Sequence, residues 1–206
     1  IMDTVLCFGD SNTYGLDPRN KTRFDYSVRW TGLLDSWLRP QGKRVAEEGL
    51  CGRTADFSDM HRPGRRGTEM LPVLLETHSP ECAVIMLGTN DCKTVYNASP
   101  EKIGNGISAL IGQAKRFRED MKILIVSPIR LADGVGEKGF DEEFDERSVM
   151  TSLDLKRVYR DIAKKENCLF LAASDYASPS AADREHLDEN GHKRLAEAIY
   201  GALSQA

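Results

Sequence analysis

The sequence contains no C-x-x-C pair and no G-K-[ST] loop. It also lacks any apolar run approaching the roughly 20 residues that a bilayer-spanning helix needs. The first absence removes zinc ribbons and thioredoxin-type redox motifs. The second, with Gly9 and Gly15 out of G-x-G-x-x-G register around the first apolar run, leaves nucleotide cradling unsupported. Excess positive charge is missing too. The formal net charge of −4 argues against a general nucleic-acid binder. A basic, then long apolar leader is not seen at the start of the chain, and insertion into a membrane is not expected. The four histidines, His61, His78, His186 and His192, show no metal-ligand spacing, so no metal site is expected.

What is present suits one globular domain over residues 1–206, with 40% hydrophobic and 29% charged residues. The five cysteines are irregularly spaced. Cys7, Cys82 and Cys168 lie in or beside apolar runs, where a thiol behaves as a small hydrophobe. A reducing, cytoplasmic setting is the expectation.

Short apolar runs alternate with helical stretches. Residues 5–8, 83–87 and 123–127 read as buried strands, with weaker strands at 44–48 and 168–172. Apolar spacings of three and four predict helices over 29–38, 100–119, 146–165 and 189–204, although Gly104, Gly106 and Gly112 weaken the second. The alternation also requires a helix between the second and third strands, to which the pattern assigns no residues. The fold class is therefore α/β, a three-layer α/β/α sandwich on a five-stranded parallel sheet. Ligands in such folds bind at the carboxyl ends of the strands. Segment 133–146 holds seven carboxylates and one lysine. Its plain reading is a solvated loop, and its functional one a lid or an oligomer contact.

Four strand-end loops carry chemistry. After the first strand, F-G-D-S-N-T-Y-G places Ser11 at the opening of a helix, as a nucleophile or as an ordinary N-cap. Gly52, in E-G-L-C-G-R-T, is either a turn glycine or a bare N–H donor. Asn90, in L-G-T-N-D, offers an amide donor, though Asn90 and Asp91 equally suit a cap or turn. In D-R-E-H, Asp183 and His186 stand three apart, where a carboxylate can orient an imidazole base. Singly each is weak; together they meet the requirements of acyl transfer.

These blocks resemble the GDSL/SGNH hydrolase family, whose signature is one Ser, one Gly, one Asn and one His on four separate blocks. The stretches VLCFGDSNTYG, VRWTGLL, EEGLCGRT, VIMLGTND and DREHL are particularly similar to its arylesterase and acyltransferase branch. The resemblance implies a flavodoxin-like fold and a serine esterase acting on small acyl esters, with transfer to other alcohols in some members. It implies Ser11, Asp183 and His186 as catalytic, with the Ser11 and Gly52 N–H groups and the Asn90 side chain as the oxyanion hole. Asp10 and Asn12 would border the substrate. No metal or cofactor is implied, and a homo-oligomer is expected by the same resemblance. Asn12 replaces the leucine of the family name and is expected to alter the acyl-pocket wall. Glu48 stands where many members have asparagine. Segment 128–146 is shorter than in some arylesterase-like members.

Other readings are a carbohydrate O-acetylesterase of the same family and a catalytically silent ligand-binding module. An aspartyl phosphatase is disfavoured because position 12 is Asn rather than a second carboxylate. His192 reads as structural, and His61 and His78 as loop residues. Arg62, Arg65 and Arg66 read as a solvated group or a pocket rim. Trp30, Trp37 and Phe57 read as packing residues.

Overall fold

The computed structural model describes residues 2–205. Five strands form one sheet: β1 (Asp3–Gly9), β2 (Lys43–Gly49), β3 (Cys82–Met86), β4 (Lys122–Ser127) and β5 (Leu169–Ala172). Their order is β2-β1-β3-β4-β5, and every neighbouring pair is parallel. Between them run α1 (Ser11–Tyr14), α2 (Trp30–Leu38), α3 (Gly67–His78), α4 (Pro100–Phe117), α5 (Glu146–Lys165) and α6 (Glu189–Ser204).

Strand side chains alternate between two cores, as a period of two dictates. Leu6, Phe8, Ala83, Ile85, Ile123 and Ile125 pack with α3, α4 and α5 on one face. Val5, Cys7, Val84, Met86, Leu124 and Val126 pack with α2 and α6 on the other. Both faces are covered, which is why these strands read as unbroken apolar runs.

The helix that the alternation required is α3. Pro72 lies inside it and cannot donate to the preceding turn. The Thr68 carbonyl accepts instead from Gln113 Nε2 at 2.7 Å. Glycine does not break α4, because Gly104 gives the helix close approach to α5: a Cβ there would sit 2.6 Å from Val158 Cγ1. His78 corrects the loop expectation. It is the last residue of α3, and its Nε2 meets Glu48 Oε1 at 2.7 Å.

The acidic segment is more than a solvated surface. Val135 and Phe144 anchor it in the core. Asp145 caps α5, accepting from Ser148 N, and the Ser148 hydroxyl accepts from Asp145 N in return. Among the described residues no helix is long and apolar enough to cross a membrane.

Candidate active site

The chain leaves β1 and β3 in opposite lateral directions, which opens a crevice at their carboxyl ends. Ser11 stands there as the first residue of α1. It is not the helix cap. Asp10 caps, its Oδ1 accepting from Asn12 N at 3.0 Å. This leaves the Ser11 hydroxyl free for another partner.

That partner is His186. Ser11 Oγ lies 2.7 Å from Nε2, and His186 Nδ1 lies 2.6 Å from Asp183 Oδ2. Nδ1–H donates to the carboxylate, so Nε2 accepts the serine proton. Residues 183–186 form a turn rather than a helix. Asp183 Oδ1 accepts from Glu185 N at 3.0 Å and His186 N at 2.9 Å, folding the turn onto the acid. Arg184 completes it in the left-handed region at φ 66°. Lys21 Nζ, 162 positions away, also donates to Asp183 Oδ2, at 2.6 Å.

Electrostatics follow from these contacts. Burial raises the Asp183 pKa, but the hydrogen bond and charge of His186, with Lys21, outweigh it and hold the acid well below the carboxylate range. Burial lowers the imidazole pKa, but the Glu185 and Asp183 charges outweigh it and leave His186 above its ordinary value. Glu185 is pushed up to about 7 by burial.

The oxyanion candidates face the same cavity. Gly52 takes φ 84°, a conformation that favours glycine. Among the described residues no backbone acceptor takes the Ser11 or the Gly52 N–H. Asn90 Nδ2 spends one proton on the Arg53 carbonyl at 3.1 Å, leaving its second for a ligand. Ser11, Gly52, Asn90, Asp183 and His186 all line one cavity of about 470 Å³. That lies within the usual range of small-molecule sites, about 300–1,000 Å³.

Asp10 and Asn12, expected to border substrate, do not line this cavity. Asn12 is turned into the protein. Its Oδ1 accepts from Leu187 N at 3.0 Å and its Nδ2 reaches the Glu185 carbonyl at 3.5 Å, bracing the turn that carries His186. The leucine-to-asparagine departure thus falls on scaffold rather than on the acyl-pocket wall. Asp10 is buried, with its pKa raised to about 6 by burial. Glu48 points to His78 on the β2 side.

Other contributors lie within the quoted motifs, next to the residues assigned the chemistry. Both carboxylate oxygens of Asp91 accept from Ala55 N at 3.0 Å, tying the Gly52 loop to the Asn90 loop. Arg53 is buried over the Phe8 ring, 4.4 Å from its centroid, and donates to the Gly9 carbonyl at 3.1 Å. Both follow a motif residue directly, but adjacency does not reveal a direction. Lys21 has no signal in the sequence at all.

Of the arginine cluster, Arg62 rims the cavity and pairs with Asp59 at 2.8 Å. Arg65 donates to the Cys51 carbonyl at 3.2 Å, and Arg66 pairs with Asp56 at 2.9 Å. His192 is structural: Nδ1 accepts from Trp30 N at 3.1 Å. Trp30 is fully buried, donating from Nε1 to the Asn12 carbonyl at 3.0 Å. Phe57 stacks on Tyr96 with centroids 4.6 Å apart, and Trp37 meets Tyr200 edge-on at 5.8 Å. Among the described residues no group of three or more His, Cys, Asp or Glu side chains is arranged to hold a metal ion.

A hydroxyl on an imidazole on a carboxylate, beside unspent N–H donors, suits attack on an ester carbonyl. On this sheet order it goes with a class of enzyme: the protein is a carboxylic ester hydrolase. The chain belongs to the GDSL-like lipase/acylhydrolase family, whose model matches residues 7–194. No curated relative matches the sequence.

Among solved structures, the chain is similar to Est24, a carbohydrate acetylesterase from Sinorhizobium meliloti. The two are 32% identical with a TM-score of 0.91, covering 98% of this chain and 99% of that one. The native aryl esterase of M. smegmatis is equally similar, at 32% identity and TM-score 0.91 over 98% of this chain and 99% of that one. TesA shares the fold at 22% identity and TM-score 0.69, covering 98% of this chain and 99% of that one.

Proposed function

We propose that the protein cleaves small acyl esters through an acyl-enzyme on Ser11. The observation that carries this reading is the continuous link from Ser11 Oγ to His186 Nε2 at 2.7 Å and from Nδ1 to Asp183 at 2.6 Å, opening on the cavity. Ser11 Oγ bonds to the ester carbon as its proton passes to Nε2. The carbonyl oxygen takes the negative charge and lies against the Ser11 and Gly52 N–H groups and the Asn90 amide. The tetrahedral adduct collapses, the ester C–O bond breaks, and the imidazolium returns its proton to the departing alcohol. Water then attacks the acyl-enzyme by the same path, and a second alcohol in its place gives acyl transfer.

The lining of the cavity is largely polar and charged, which favours an alcohol portion rich in hydroxyls, such as an acetylated carbohydrate, over a long acyl chain. The test is hydrolysis of p-nitrophenyl acetate and longer esters by wild type and Ser11→Ala, with circular dichroism to confirm folding. Activity that falls by several orders of magnitude in a folded mutant supports the mechanism. Equal activity in both removes Ser11 from it.

A further inference from the structure

Glu185 is unaccounted for by the mechanism. Its side chain is only 8% exposed, yet it lines the active-site cavity. Its main chain is engaged in the turn, but among the described residues no group donates a hydrogen bond to its carboxylate. Its nearest charged partner among the described residues is the imidazole, with Oε1 3.6 Å from His186 Nε2, longer than a hydrogen bond. Neither carboxylate oxygen is sealed inside the protein; both are open to the cavity that Glu185 lines, so a polar group entering it can reach them.

We propose that Glu185 is a specificity-determining residue that receives a hydroxyl on the alcohol portion of the substrate, adjacent to the ester oxygen. The inference rests on the Ser11 mechanism and deepens it. Nε2 is the atom that protonates the leaving oxygen. Glu185 Oε1 lies 3.6 Å from it, so a group next to the leaving oxygen comes within reach of the carboxylate. In a monoester of a vicinal diol, the ester oxygen and the free hydroxyl sit about a hydrogen-bond length apart. One therefore meets Nε2 while the other meets Glu185. A hydroxyl suits the carboxyl group in either protonation state, since it both donates and accepts. An ammonium suits only the ionised form and would enter a cavity that Lys21 and Arg62 also line.

The test compares ethylene glycol monoacetate with n-propyl acetate, which differ by a hydroxyl in place of a methyl. Wild type is expected to favour the glycol ester by about tenfold or more in kcat/KM, because a site built for a hydroxyl rejects the analogue lacking it. Glu185→Leu brings the ratio to near unity, and Glu185→Gln, which keeps an acceptor, retains part of it. A ratio unchanged in Glu185→Leu, or a loss that falls equally on both esters, overturns the proposal and leaves Glu185 a structural or water-held residue.

Binding gives a readout independent of turnover. Ethylene glycol monoacetate is titrated by NMR into Ser11→Ala and into Ser11→Ala/Glu185→Leu. Weaker binding to the double variant supports the contact, and equal affinity overturns it. If wild type turns over neither ester, the serine-esterase reading is what fails, and the titration still decides the role of Glu185.

Discussion

At the scale of single residues, the site is a set of protons with assigned places. Asp183 accepts four donors on two oxygens, from two backbone N–H groups, the imidazole and Lys21. It therefore stays ionised and keeps Nδ1 protonated. Asn90 has one amide proton committed and one free. Asn90→Ala is expected to lower kcat by on the order of 10²–10³ with p-nitrophenyl acetate. A loss below tenfold would remove Asn90 from the oxyanion hole.

The base must be neutral to accept the serine proton, so the rate falls as pH drops through the His186 pKa. That pKa lies above its ordinary value. Asp183 and Glu185 on its own turn, Lys21 beyond α1, Asp10 at the end of β1 and His192 in α6 all act on the ring. Glu185→Gln deletes one of the charges that raise it. The acid limb of the kcat/KM profile is therefore expected to move to lower pH, and a limb that stays in place would count against this coupling.

At the scale of elements, the catalytic loops are held by each other as much as by the sheet. Asp91 fastens the Gly52 loop to the end of β3 through Ala55 N. Asp91→Ala leaves that buried N–H without its acceptor and is expected to cost about 1–3 kcal/mol of stability. Urea denaturation measures this, and an unchanged midpoint would show that another group takes the acceptor's place.

The acidic segment is joined to the catalytic turn at one residue. Arg184 Nη1 donates to the Gly134 carbonyl at 2.8 Å and to Glu137 Oε2 at 2.7 Å, and the guanidinium lies 3.9 Å from the Phe140 ring centroid. Gly139, Phe140 and Asp141 of that segment line the cavity. Arg184→Ala should loosen this wall and raise KM several-fold with a smaller change in kcat. A fall in kcat at constant KM would place the damage in the catalytic turn instead.

For the whole molecule, several buried ionisable groups link stability to pH. Burial raises Asp91 and Glu185 to about 7 and Asp10 to about 6. Each folded-state pKa lies above the unfolded value, so folding takes up protons between roughly pH 4 and 7. Their contribution to stability is full below the unfolded pKa and declines as pH rises through that window. His192, lowered to about 4 by burial, works in the opposite direction below its ordinary pKa. With three carboxylates against it, Tm is expected to fall as pH rises from 5 to 7.5. The slope should be shallower in Glu185→Gln. A rising Tm across that range would show that these acids are ionised at little cost in the folded protein.

Much of this architecture is legible along the chain. The runs around Val5–Phe8, Ala83–Met86 and Ile123–Val126 are apolar on both faces because helices cover both sides of the sheet. Periodicity alone marks such segments. The helix containing Pro72 has no assignment by residue in the sequence, where a proline argues against a helix interior; the fold gives the freed Thr68 carbonyl a tertiary donor in Gln113. The four motif blocks were visible because each carries its chemistry at a strand end. Their partners were not, since Lys21 and Asp183 meet across 162 positions.

The same division explains Asn12 and Glu185. The family resemblance implied that Asn12 borders substrate, yet the fold turns it inward onto the Leu187 N–H. Nothing in the sequence pattern singles out Glu185 between Arg184 and His186, yet the fold leaves its carboxylate beside the base with no hydrogen-bond donor among the described residues. Sequence by itself determined the alternation of elements and the kinds of reactive group, because both depend on local pattern. Tertiary structure decided which side chains face the cavity and how each is charged, because direction and desolvation arise only when distant loops pack together.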